Sequence, residues 1–165
     1  IGLCLVGSEM CIRDSVGKVQ GGDGSSPIQP GVRVLDSIDV LDSTLEKARA
    51  GGITMANLMS GSGHLLSGQT VYLKLRDGVT VEDLALLNED GSMAGGIKMA
   101  NGTNSIKGSG GSPGTRGKSA ALVREQFIKA QQYRDKIAAG GDDSPDRDLA
   151  MEALVDVLEL SLIHI

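Results

Sequence analysis

Ile53-Thr54-Met55-Ala56-Asn57-Leu58-Met59 is a short, nearly continuous apolar run, bounded in front by Gly51-Gly52 and behind by Ser60-Gly61-Ser62-Gly63-His64. Its length and its flanking glycines favour a buried strand over a helix. Beyond the glycine- and serine-rich loop, Thr70-Val71-Tyr72-Leu73-Lys74-Leu75 reads as a second strand, closed by Asp77-Gly78. Upstream, Ser43-Thr44-Leu45-Glu46 fits a capping box in which Ser43 and Glu46 satisfy each other's orphan amides. The helix it opens should run to about Ala50 and stop at Gly51-Gly52, where a left-handed residue costs little. Helices and strands alternating in this order predict an α/β fold built from βα units of a parallel sheet.

The rest of the chain fits the same frame. Val16 to Gly31 is polar and carries Pro27 and Pro30, which predicts an extended surface segment. Val32 to Val40 allows a short strand or turn, and Val81 to Leu87 one or two helical turns. Residues 88–114 are loop-rich, with a short element at Ile97-Lys98-Met99-Ala100. The strongest helix starts near Thr115 or Arg116 and ends at Gly140-Gly141. In it Ala120, Val123, Phe127, Ala130 and Ile137 share one face. Ser144-Pro145 predicts a further helix start, with Leu149, Ala153, Leu154, Val157 and Leu158 as its buried stripe.

The two ends have another origin in the sequence. One permitted codon set for Leu160-Ser161-Leu162-Ile163-His164-Ile165 is CTG TCT CTT ATA CAC ATC. Its reverse complement, read one base over, encodes Met10-Cys11-Ile12-Arg13-Asp14 and the start of Ser15. The word resembles a transposon end used to fragment DNA for sequencing, and Leu5-Val6-Gly7-Ser8-Glu9 resembles the adapter before it. We therefore expect three segments: 1–15 and 160–165 as translated adapter, and 16–159 as an internal fragment from a metagenomic type of assembly. Such segments are set aside before the fold is reasoned about. Both cysteines, Cys4 and Cys11, go with them, so no disulfide or thiol nucleophile is expected. His64 becomes the single native histidine. With no native start to read, the compartment stays open.

Composition narrows the function classes. The chain carries a net charge of −5, whereas a nucleic-acid surface needs clustered lysine and arginine. No apolar run has the length to span a bilayer. Glycine numbers 24 in 165 residues against two tyrosines, one phenylalanine and no tryptophan; a typical domain has about 7 % glycine. Such a core is thin for an independent domain and fits a slice of a larger α/β protein.

In α/β folds the loops after the carboxyl ends of strands build ligand sites. That makes His64, Gly61, Gly63 and Gln69 the candidate substrate-binding residues. One histidine cannot supply the three or four protein ligands of a usual metal site, and a loop histidine without such a role is the simpler reading. Lys74, inside an apolar strand, is a weak candidate for a carbamylated metal ligand; alternation also places it with Tyr72 on one, exposed face. Gly111-Ser112-Pro113-Gly114-Thr115-Arg116-Gly117-Lys118-Ser119 invites comparison with a phosphate-binding loop. Its first glycine is replaced by Ser112, and no apolar strand precedes it. Asp142, Asp143, Asp146 and Asp148 lie near a helix start, where the dipole accounts for them; their spacing does not match a calcium loop.

Taken in order, several stretches are similar to metal-dependent amidohydrolases of the imidazolonepropionase-like group. They are Gly24–Pro30, Ala50–Thr54, Met59–Thr70, Val71–Leu75, Ile97–Gly102 and Ser112–Arg116 with the helix that follows. The resemblance implies a (β/α)8 TIM barrel, of which this chain would be an incomplete part. It also implies one or two divalent metals, zinc foremost, in the parent enzyme. Such enzymes attack a C–N bond of a cyclic amide, amide or peptide with metal-activated water, so a small-molecule or peptide substrate is implied. The family's His-x-His pair, two later histidines and late aspartate have no match within Val16–Glu159. The fragment is therefore expected to be catalytically incomplete and to hold no metal itself. Two other classes stay open: a non-catalytic Gly-rich α/β binding module, and a phosphate-loop nucleotide binder.

Overall fold

The computed structural model describes residues 25–107, 110–141 and 144–159. Both adapter-like ends, the two cysteines, residues 16–24 and the pair Asp142-Asp143 lie outside the described residues. After a 3-10 turn at Val34–Ser37 come helix α1 (Ser43–Ala50), strands β1 (Met55–Leu58), β2 (Leu66–Gln69) and β3 (Val71–Lys74), and the short helix α2 (Val81–Leu84). Strand β4 (Ile97–Met99) and helices α3 (Thr103–Ile106), α4 (Arg116–Ala139) and α5 (Leu149–Leu158) follow.

The strand read from Ile53–Met59 is β1, and it pairs antiparallel with β3, Ala56 opposite Leu73 and Leu58 opposite Val71. These four residues are buried on one face, together with Val34, Leu45, Leu75 and Leu84. The other face carries half-buried Asn57 and Tyr72 and exposed Met55 and Lys74. The expected parallel sheet does not occur among the described strands. Both two-stranded sheets, β1–β3 and β2–β4, are antiparallel. The reason lies between β1 and β3: residues 59–70 hold a turn and a strand rather than the helix that a parallel crossover uses. No barrel wall is formed by the described residues, and the architecture they show is α/β with few, short strands.

Strand β2 went unread because its sequence, Leu-Ser-Gly-Gln, looks like loop. It is nevertheless buried over its first three residues. On one edge it pairs with β4, with a bulge between Leu66 and Gly68. On the other it meets residues 27–32 in parallel: Leu66 N donates to Pro27 O at 2.9 Å, and Gln69 N to Val32 O at 2.7 Å. Gly68 has φ +103°, and a Cβ there would collide with the Val32 carbonyl oxygen. Only glycine meets both conditions.

A second core lies over β2 and β4, where Leu66 and Ile97 meet Ala130 of α4 and Ala153, Leu154 and Val157 of α5. The α4 boundaries are as expected, with Thr115 as its cap and Gly140 (φ +63°) at its end. Its buried face is narrower than expected, because Ala120 and Ile137 are exposed. Two caps sit elsewhere than the sequence suggested. Helix α1 is capped by Asp42, which accepts from Thr44 N at 2.7 Å, rather than by Ser43. Helix α5 starts at Leu149 and not at Ser144-Pro145, because the Asp148 carboxylate accepts from both Ala150 N and Met151 N. A carboxylate that takes two orphan amides, and carries charge at the positive end of the helix, outcompetes a serine hydroxyl. No described helix is long and apolar enough to cross a membrane.

Replacing Gly68 with alanine should destabilise the chain well beyond the ordinary point-mutant cost of about 1 kcal/mol. Denaturant unfolding measures it; a variant as stable as the parent would show that β2 does not need this close approach.

Candidate functional site

The loop Ser60–Leu65 carries three of the four candidate residues, and hydroxyls hold it closed. Ser60 Oγ donates to Ser67 O at 3.0 Å. Ser67 Oγ lies 3.3 Å from both Gly61 O and His64 O; its single proton serves one of these acceptors at a time. Ser60 and Ser67 are buried at 4 % and 3 % exposure, so these bonds fix the loop from beneath. His64 is half-buried, directly before the fully buried Leu65 and Leu66. Added Cβ atoms on Gly61 or Gly63 would meet open space. Their bareness leaves the loop backbone approachable from solvent.

Gln69 sits at the opposite end of β2. The structure brings Gly61, Gly63 and His64 together on one loop and places Gln69 in a different setting. There it lines a cleft of about 290 Å³ with Arg33, Thr70, Asp90, Ser92 and Asp156. Thr70 fastens the cleft floor: its N donates to Gly96 O at 2.8 Å, and its Oγ1 accepts from Gly96 N at 3.0 Å. Gly95 is obligatory, since a Cβ there would strike the Thr70 carbonyl oxygen.

The cleft's charges are unequal. The Ser92 hydroxyl and amide both donate to Asp90, at 2.6 and 2.9 Å, and hold its carboxyl below the usual range. Asp156 is pushed up, first by burial and then by the nearby Glu159, Glu152 and Asp90. Arg33 is bound to Asp36 at 2.6 Å, which raises its own pKa. Gln69 apart, these residues escaped the sequence reading because positions 33, 70, 90–96 and 156 meet it only through the fold. Asp90-Gly91-Ser92 carried a turn signal but no sign of what it faces.

The remaining candidates are placed as follows. Lys74 is exposed, opposite Met55 at the end of β3. Among the described residues no three or more histidines, cysteines, aspartates or glutamates are grouped to hold a metal ion. The segment resembling a phosphate loop follows α3 rather than a strand. Its Lys118 amide is taken by Thr115 Oγ1 at 3.2 Å, and the buried Ser119 hydroxyl donates back to Thr115 O at 3.0 Å. Those groups serve the helix start and face no phosphate cradle.

The chain is similar to the crystal structure of an amidohydrolase from Thermotoga maritima MSB8, with 30 % identity and a TM-score of 0.72. The match covers 84 % of this chain and 36 % of that one, so the chain spans about a third of that protein's length. No family model and no curated protein matches. The likeness to an amidohydrolase expected from the sequence is thus supported in both sequence and fold.

Asp156 sets a testable pH dependence. Its folded-state pKa is raised, so its ionisation opposes folding as pH climbs above the ordinary carboxylate value, and not below it. Asp156→Asn should therefore be the more stable protein at neutral pH and lose that advantage in strong acid. Equal stability of the two chains at neutral pH, measured by denaturant unfolding, would remove Asp156 from the cleft's electrostatics.

Proposed function

We propose that this chain is part of a metal-dependent hydrolase of the imidazolonepropionase-like amidohydrolases, acting on the C–N bond of a cyclic amide, amide or peptide. The observation that carries the reading is the likeness to the Thermotoga maritima amidohydrolase over 84 % of this chain at 30 % identity. The complete catalytic barrel would be a (β/α)8 TIM barrel, with this chain as a portion of it.

The described residues do not by themselves fit a metal centre. They offer one imidazole, His64, and an exposed Lys74, with no grouped carboxylates or histidines beside either. A divalent centre, with zinc as the ion in our reading, needs three or four converging donors. In this proposal those donors belong to other parts of the longer enzyme. What this chain contributes is substrate contact. The Ser60–Leu65 loop presents bare backbone at Gly61 and Gly63 beside His64, held in place by the two buried serines. Gln69 offers a side-chain amide able both to donate to and accept from an amide substrate.

The test is made on the uninterrupted gene. The full protein should bind divalent metal and hydrolyse members of a panel of cyclic amides, amides and dipeptides. His64→Ala should lower kcat/KM about tenfold or more, roughly the 1.4 kcal/mol of one lost substrate hydrogen bond, with little change in Tm. A full protein that hydrolyses none of the panel with metal supplied would defeat the proposal. Unchanged kinetics in the variant would leave the loop a structural one.

A further inference from the structure

The asparagines of the chain differ in what restrains them. Asn57 has both side-chain polar atoms buried, and its follower, Leu58, is buried as well. Asn88 donates from its side-chain amide to Ser92 Oγ at 2.9 Å and is followed by Glu89. Asn104 lies inside α3, and its follower, Ser105, is 1 % exposed. A helical ψ also holds the next amide nitrogen out of line with the side chain before it.

Asn101 has none of these restraints. It is exposed, two residues beyond β4, and glycine follows it. A Cβ on Gly102 would meet nothing within 4 Å, so the Gly102 nitrogen is bare on that side. Gly102 is the cap of α3 in extended conformation, φ −108° and ψ −170°. Among the described residues no hydrogen bond holds the Asn101 carboxamide or the Gly102 amide. Nucleophile and electrophile are thus neighbours on the chain, and both are free to turn.

We propose that Asn101 is a site of spontaneous covalent self-modification, in which the Gly102 amide nitrogen closes on the Asn101 side chain to form a succinimide. The Gly102 nitrogen loses its proton and bonds to Asn101 Cγ. The bond from Cγ to Nδ2 breaks, and Nδ2 leaves as ammonia with that proton. Water then opens the ring at either carbonyl. Opening at Cγ gives aspartate; opening at the main-chain carbonyl gives isoaspartate, whose backbone runs through the side chain. The site lies between two anchors: Ala100 N donates to Leu65 O at 3.0 Å, at the end of the His64 loop, and Gly102 O accepts from Ser105 Oγ at 3.0 Å. Isoaspartate adds a methylene to the main chain between those anchors, and either product adds a negative charge. The proposal stands apart from the hydrolase reading, since it needs only this chain and water.

The test incubates the full chain in warm, mildly alkaline buffer beside a synthetic peptide of Met99–Thr103. Trypsin releases Met99–Lys107, which carries Asn101 and Asn104 together, and fragmentation mass spectrometry locates the gain of OH in place of NH2. Aspartate and isoaspartate should accumulate at Asn101 at a rate comparable to the peptide's, while Asn57, Asn88 and Asn104 stay intact. Gly102→Ala should slow the change about fivefold or more, because a Cβ removes the freedom and bareness that glycine gives. Asn101→Gln should abolish it at this position. Asn101 intact after the peptide has converted, or Asn88 and Asn104 converting as fast, would overturn the proposal. So would an unchanged rate in a folded Gly102→Ala chain; if that variant loses helix by circular dichroism, the comparison with the peptide decides.

Discussion

Leu66 N to Pro27 O at 2.9 Å and Gln69 N to Val32 O at 2.7 Å bind β2 to a segment running parallel to it, and the second depends on the bare backbone at Gly68, where a Cβ would strike the Val32 carbonyl oxygen. With its other edge on β4, β2 is hydrogen-bonded along both sides. Leu66 lies in the core under α4 and α5, while Val71, two residues beyond the strand, lies in the core under α1 and α2. The two small cores are thus joined through six residues of chain. Neither contains a tryptophan, and the one phenylalanine, Phe127, is only partly buried. With so little aromatic area to bury, backbone pairing at β2 carries an unusual share of the fold's definition.

This also explains what sequence could and could not disclose. Met55–Leu58, Val71–Lys74, Ile97–Met99 and the whole of α4 were legible, because each carries its own apolar pattern and its own glycine or cap. Leu66–Gln69 was not. Its burial comes from a hydroxyl bonded to loop carbonyls and from a glycine pressed against a neighbouring strand, and neither leaves a hydrophobic period. The direction of pairing was lost for a related reason, since a local pattern states that a strand exists and not which strand it will meet. The misplaced cap of α5 was a competition between two signals four residues apart, Ser144-Pro145 and Asp148, decided by which acceptor reaches two amides.

Within the site the same contrast recurs. The His64 loop was visible as a glycine–serine cluster after a strand, and the structure adds that Ser60 and Ser67 are buried fasteners of that loop. The cleft at Gln69 was visible in one residue only. Asp90 and Asp156 lie 66 positions apart in sequence, yet Asp90 adds to the upward push on Asp156 while itself being held low. Proximity alone does not cause that split. Asp90 receives two hydrogen bonds from Ser92, whereas Asp156 is raised first by burial and then by Glu159, Glu152 and Asp90.

Local rules conflict most sharply at Asn57. Its side-chain oxygen and nitrogen are both buried without a hydrogen-bond partner, an arrangement that costs on the order of 1–3 kcal/mol. Asn57 faces away from the apolar core, on the side of the β1–β3 sheet that it shares with Tyr72 and Lys74. Leucine at this position would remove the cost but leave β1, Met55–Leu58, apolar on both of its faces. The polar residue keeps the two faces of a four-residue strand chemically distinct, and that distinction pins the register: a slip by one residue would put Asn57 among Leu73 and Val71. A strand as short as β1, with only two buried side chains, Ala56 and Leu58, gains from the asymmetry what it lacks in length.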